Sequence, residues 1–142
     1  MTINVRRTRW CDVPRRVLVE RLLDTAHWPE WSPMETARIE RPGRDGSPSS
    51  PGEIRRFTSR GVTGREEVLE SEGDVVLRYR LLSGLPLRDY VGEVTIEEID
   101  ARTRVTWASS FEPKFALTGW LYKFVMARLF DQSITGLIAG PR

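Results

Sequence analysis

A chain of 142 residues makes one ordinary domain, able to bury roughly two-thirds of its unfolded surface. Hydrophobic residues make up 39% and charged residues 30%, which excludes a disordered chain, and no run of roughly 18 apolar residues exists to cross a bilayer, so no integral membrane segment is expected. Net charge is +2, with 22 basic residues scattered among 20 acidic ones, so the basic stripe of a nucleic-acid partner is missing and none is expected.

Cys11 and His27 are the only residues of their kinds, which rules out an intrachain disulfide and a Cys/His zinc cluster. Neither a metal nor a cofactor is expected. Residues 1–7 lead straight into alternating apolar and polar positions without the continuous apolar stretch of a secretory signal, so a cytoplasmic location is the expectation.

In chain order, residues 3–10 alternate around Ile3, Val5 and Trp10 and predict a strand. Asp12 offers an N-cap and Pro14 a first turn, after which Val17, Leu18, Leu22 and Leu23 recur at helical spacing, with Arg15, Arg16, Glu20 and Arg21 opposite. Pro29 and Pro33 stop regular helix, so residues 27–33 read as a short helical turn followed by a loop. Residues 36–41 resume alternation. The Pro-, Gly- and Ser-rich residues 42–52 read as a mobile loop joining two strands of one sheet, because the 41 residues before it cannot form a core of their own.

Five more strands are predicted at residues 53–60, 63–71, 75–82, 87–99 and 104–111, with turns at Gly61, Gly73-Asp74, Gly84-Leu85-Pro86 and Asp100-Ala101-Arg102. Such close spacing without intervening helices calls for an antiparallel meander. Val75, Leu77, Tyr79 and Leu81 share one face, as do Tyr90, Val94 and Ile96, then Val105, Trp107 and Phe111; these faces should look inward. After Pro113 a nearly continuous apolar run from Phe115 to Ala127 extends through Leu129, Phe130, Ile134, Leu137 and Ile138. It is too long for a strand and too charged for a membrane span, and predicts a terminal helix covered on more than one side, stopped at Gly140-Pro141.

Several local sequences in this order resemble the START-like helix-grip superfamily (SRPBCC), in its polyketide cyclase/dehydrase and lipid-transport branch. Residues 28–33, Trp-Pro-Glu-Trp-Ser-Pro, resemble the tryptophan-proline turn after the first helix of such proteins, and residues 51–55, Pro-Gly-Glu-Ile-Arg, the glycine that opens their third strand. Residues 89–94, Asp-Tyr-Val-Gly-Glu-Val, and 103–107, Thr-Arg-Val-Thr-Trp, resemble their last two strands. The resemblance spans nearly the whole chain. It implies an α+β helix-grip fold over residues 1–142: a curved antiparallel sheet of six or seven strands wrapped around a long C-terminal helix, with two short helices after the first strand. It also implies a hydrophobic pocket between sheet and helix, of the kind the superfamily uses for lipids, polyketides and other apolar small molecules.

Candidate ligand-binding residues are the aromatic set Trp28, Trp31, Phe57, Tyr79, Tyr90, Trp107, Phe111, Trp120 and Phe124, any of which would equally serve as ordinary core. For proton transfer the candidates are His27, whose ring titrates near neutral pH, Asp131, a carboxylate in an apolar helix, and Tyr90, which like Tyr79 would orient a carbonyl. His27 equally suits a helix C-terminus, and Asp131 a solvated stripe with Arg128 and Gln132. Glu66, Glu67 and Glu93 fall on strands where alternation alone does not choose inside from outside, whereas Arg78 and Arg80 read as solvent-facing. No nucleophile elbow or phosphate-binding glycine loop occurs. The leading expectation is a binder of a hydrophobic, lipid- or polyketide-like molecule. The alternatives are a polyketide cyclase or dehydratase using the same cavity, and an interaction or regulatory domain anchored by an exposed Trp28 and Trp31.

Overall fold

The computed structural model describes residues 1–142. Strand β1 (Ile3–Cys11) leads into helix α1 (Arg15–Leu23) and a 3-10 turn (Thr25–Glu30). Six strands follow: β2 (Thr36–Arg41), β3 (Ile54–Ser59), β4 (Val62–Leu69), β5 (Val75–Ser83), β6 (Leu87–Ile99) and β7 (Arg102–Pro113). Helix α2 (Gly119–Ala139) ends the chain's regular structure.

All seven strands join one sheet in the order β1-β7-β6-β5-β4-β3-β2, every neighbouring pair antiparallel. A meander therefore runs from β2 to β7, and β1 closes the far side against β7. The chain crosses from one sheet edge to the other through α1 and the 3-10 turn. Bulges interrupt the ladder in the β2–β3, β4–β5, β5–β6 and β6–β7 pairs, and bulges bend strands. The resulting concave face receives α2, whose Met126, Phe130, Ile134 and Leu137 are buried with Leu18 and Leu22 of α1 and with Leu77, Val94, Ile96 and Val105 of the sheet. This is the helix-grip α+β architecture expected from the order of elements.

Three local expectations are corrected. Asp12 does not cap α1; the position before the helix is Pro14, and the Asp12 carboxylate instead accepts from Arg102 at 3.1 Å. Residues 115–118 form a turn in which Leu117 has φ 67°, so α2 starts at Gly119. The first half of α2 is also covered on one side only: Gly119 and Met126 are buried, while Trp120, Leu121, Phe124 and Val125 are exposed.

The loop from 42 to 52 is pinned rather than free. Glu53, buried, accepts the backbone N–H of Ser49 at 3.0 Å and the Thr25 hydroxyl at 3.1 Å, while the Ser49 hydroxyl donates to the Leu23 carbonyl at 2.8 Å. A carboxylate with these donors ties the loop to the end of α1.

The β6–β7 hairpin turns on Asp100 and Ala101 alone, both left-handed with φ 50° and 66°. Aspartate tolerates that region and alanine does not. Ala101→Gly is therefore expected to raise stability in urea by about 0.5–1 kcal/mol, the relief of one strained residue less the entropy cost of glycine.

Candidate functional site

A cavity of about 890 Å³ lies between the concave sheet and α2, within the roughly 300–1,000 Å³ common for small-molecule sites. Its wall starts at Trp28. The indole Nε1 donates to the Leu22 carbonyl at 2.8 Å, which fixes the ring where α1 ends. Trp31 packs on that ring at 5.2 Å, Phe57 of β3 stacks on it at 4.9 Å, and Trp107 of β7 meets it edge-on at 5.8 Å. Phe130 of α2 stacks on Trp107 from the helix side at 5.8 Å. Aromatic faces thus form a continuous apolar wall held by offset and edge contacts.

Seven of the nine candidate aromatics line this space: Trp28, Trp31, Phe57, Tyr79, Tyr90, Trp107 and Phe124. Phe111 does not; it is buried behind the wall, stacked on Tyr90 at 5.8 Å. Trp120 lies outside, 73% exposed on the uncovered face of α2. Trp28 and Trp31 are both buried, so they form no surface anchor for a partner protein, and the reading that needed them exposed loses its basis.

The inner polar groups of the wall come from four neighbouring strands, β4 to β7. Trp107 Nε1 donates to the Tyr79 hydroxyl oxygen at 2.8 Å, and the Tyr90 hydroxyl donates to the Met126 thioether at 3.6 Å, with the Tyr79 and Ser109 hydroxyls beside it. Burial pushes both phenols up from their usual range, helped by the negative charge of Glu66, so each remains an O–H donor across the physiological range. The Tyr79 ring lies flat over Gly92, its cross-strand partner, where a side chain would occupy the ring's space.

Glu66, left open in the sequence between inside and outside, is an inner-face residue. It lines the cavity from β4, and its Oε1 accepts from Nε and Nη2 of Arg55 on β3 at 3.2 and 3.0 Å. Arg55 is fully buried, its guanidinium 4.6 Å above the Trp28 ring and 5.2 Å from those of Phe57 and Tyr79. Burial raises the Glu66 carboxyl above its usual value, and Arg55 opposes that rise. Its second oxygen makes no protein hydrogen bond. A signal for this pair existed: Arg55 stands two residues before inward Phe57 and Glu66 two before inward Val68, so period two carries both inside. Glu67 and Glu93 face outward, where they pair with Arg80 at 2.6 Å and Arg78 at 3.3 Å.

The other titrating candidates sit elsewhere. Asp131 is at the outer rim, half exposed and 3.4 Å from Arg7 of β1. His27 is on the surface, away from the cavity lining, with Nδ1 2.8 Å from Asp24 and Nε2 3.8 Å from Glu30. The hydrogen bond and charge of Asp24, with Glu30, hold its proton above the ordinary value of 6.5. A proton held more tightly in the folded state stabilises it below the unfolded value, and that contribution is lost as pH rises through the folded value. A proton NMR titration is expected to give His27 a midpoint above 6.5, and Asp24→Asn to return it towards 6.5.

No helix is long and apolar enough to cross a membrane. Known structures with the same fold include a START superfamily protein from Mycobacterium smegmatis, 15% identical with a TM-score of 0.80 over 96% of this chain and 97% of that one. A hypothetical protein from Helicobacter pylori matches with a TM-score of 0.77 and 20% identity over 99% and 88% of the two chains. The structure of Ara h 8.0201 matches at 0.72 and 13% identity over 99% and 100%. No curated protein matches. The family model described as polyketide cyclase/dehydrase and lipid transport matches residues 2–140, almost the entire length. The chain is therefore a member of the polyketide cyclase/dehydrase and lipid transport family.

Proposed function

We propose that this protein binds a hydrophobic small molecule, lipid- or polyketide-like, between its sheet and α2. The observation that carries this reading is the cavity of about 890 Å³, walled inside by Trp28, Trp31, Phe57 and Trp107, with its charged residues Arg60, Arg128, Asp131 and Arg142 exposed at the rim. A mostly apolar space with a small number of fixed polar atoms is what a ligand site requires, since burial supplies affinity and the polar atoms supply orientation. The candidate contacts are the seven aromatics of the wall together with Met126 and Phe130 of α2.

Uptake of the neutral fluorophore N-phenylnaphthylamine tests it. A saturable rise in emission at one equivalent is expected, with native mass spectrometry showing a one-to-one complex. Trp120→Ser, which removes an exposed ring outside the cavity, should leave uptake unchanged. Folded protein that takes up no probe, or whose uptake disappears with Trp120, overturns the reading.

A second reading, a cyclase or dehydratase acting on a polyketide-like chain, is favoured by Glu66: a buried carboxylate with its pKa raised and one oxygen free, beside two phenolic donors. Such a group would take a proton from the chain while Tyr79 or Tyr90 donates to the developing enolate. Turnover of a polyketide-like substrate should then fall about 100-fold or more in Glu66→Gln.

A further inference from the structure

The ligand-binding reading leaves open which end of the ligand goes in and what that end must be. Most of the wall is apolar, and the polar atoms it presents are not a matched set for a carboxylate. Glu66 Oε1 is spent on Arg55, which leaves Oε2 as an acceptor without a protein donor. The Arg55 guanidinium is no anchor for an anion: its side chain is fully buried, it is roofed by the rings of Trp28, Phe57 and Tyr79, and it is absent from the cavity lining. Glu66 meets its charge through Nε and Nη2, and the remaining Nη1, though without a partner, is buried out of reach of the cavity. Arg60, Arg128 and Arg142 also line the cavity, but all three are exposed at its outer rim; an acid group carried to the inner end meets the carboxylate of the pair there.

Around Glu66 the remaining polar atoms are neutral donors. The Tyr79 oxygen accepts from Trp107, which leaves its own proton free to donate, and the Tyr90 hydroxyl is directed at a weak thioether acceptor. Trp31, also in the wall, has a buried indole N–H with no acceptor. A ligand hydroxyl fits this set on both counts, giving its hydrogen to Glu66 and its lone pairs to a phenol. A carboxylate satisfies the donors yet brings a second negative charge to a desolvated carboxylate, a juxtaposition that low dielectric makes costly.

Resting on the proposed binding function, we infer that the cavity selects neutral amphiphiles whose buried end is a hydroxyl or similar hydrogen-bond donor, and rejects fatty acids of the same chain length, with Glu66 as the residue that discriminates.

The test displaces N-phenylnaphthylamine with dodecanol or dodecanoate at mildly alkaline pH, where the acid is ionised. The parent protein is expected to bind dodecanol about tenfold or more tighter than dodecanoate, and Glu66→Gln to bring the two to within about threefold. Equal affinities in the parent, or a preference for dodecanoate, overturn the inference while leaving the binding function standing. A preference that survives in Glu66→Gln overturns the assignment to Glu66. A parent that takes up no probe overturns both. Because Glu66→Gln leaves Arg55 without its counter-charge, the double variant Arg55→Met/Glu66→Gln serves where the single one does not fold, and must show the same loss of preference.

Discussion

Replacing Glu66 with leucine should destabilise the protein by about 3–5 kcal/mol, the usual cost of leaving one half of a buried ion pair behind. The remaining half is Arg55, fully buried under three aromatic rings, and a guanidinium cannot shed its proton to escape. The reverse change, Arg55→Met, is expected to cost less. Glu66 then takes up a proton and becomes a neutral acid, an option its partner lacks. The stability of Arg55→Met should accordingly depend on pH. With the folded-state pKa of Glu66 raised above 4.5, the fold is favoured at and below that pH and loses stability as pH rises through the folded value. The double variant Arg55→Met/Glu66→Leu should recover most of what Glu66→Leu loses, because a well-packed apolar pair of similar volume avoids the desolvation cost altogether. Urea denaturation of the four proteins closes the cycle; equal losses for the two single variants would show that the pair is not desolvated.

Gly136→Ala should be nearly as severe for a purely steric reason. A methyl group at Gly136 would stand 2.8 Å from the Trp31 carbonyl carbon and closer still to its oxygen. Neither neighbour is a side chain that can swing away. The helix and the 28–33 turn must therefore separate, at a cost of about 3 kcal/mol, which lowers the thermal midpoint by about 10 °C. Separation also moves Trp31 out of the cavity wall, so probe uptake should weaken together with stability. A midpoint within about 2 °C of the parent would show that the turn accommodates the methyl group.

Much of the fold is legible in the sequence because strand alternation and helical periodicity act over stretches long enough to average out exceptions. Strand β6 is expected at residues 87–99 and occurs at Leu87–Ile99, since Tyr90, Val94 and Ile96 mark its inner face without ambiguity. The start of α2 is not legible in the same way. Phe115 and Leu117 are as apolar as the helix itself, and only the left-handed backbone at Leu117 separates them from it. Hydrophobicity alone likewise places Trp120 inside, whereas the first turn of α2 rests on Ile3 and Pro113 through Gly119 and leaves the Trp120 ring on the open side.

The site divides along similar lines. Aromatic residues on inward faces announce a wall, yet whether a ring borders space or fills it depends on which rings stand opposite, and Phe111 is separated from Tyr90 only by that. The polar centre was harder to see. Arg55 and Glu66 look like two of many surface charges until the strands are registered, when they become direct cross-strand partners on the inner face. His27 misled for the opposite reason: its chemistry suits catalysis, while its position on the 3-10 turn gives it to Asp24 and solvent.

The distribution of indoles gives the molecule a built-in gauge. Trp28, Trp31 and Trp107 are buried against the cavity, while Trp10 and Trp120 face water. Emission should thus split into a red component that acrylamide quenches and a blue one that it does not reach. Only the blue component can respond when the interior fills. Occupancy becomes readable without a label, and Trp120→Phe, by removing part of the constant background, should sharpen the reading.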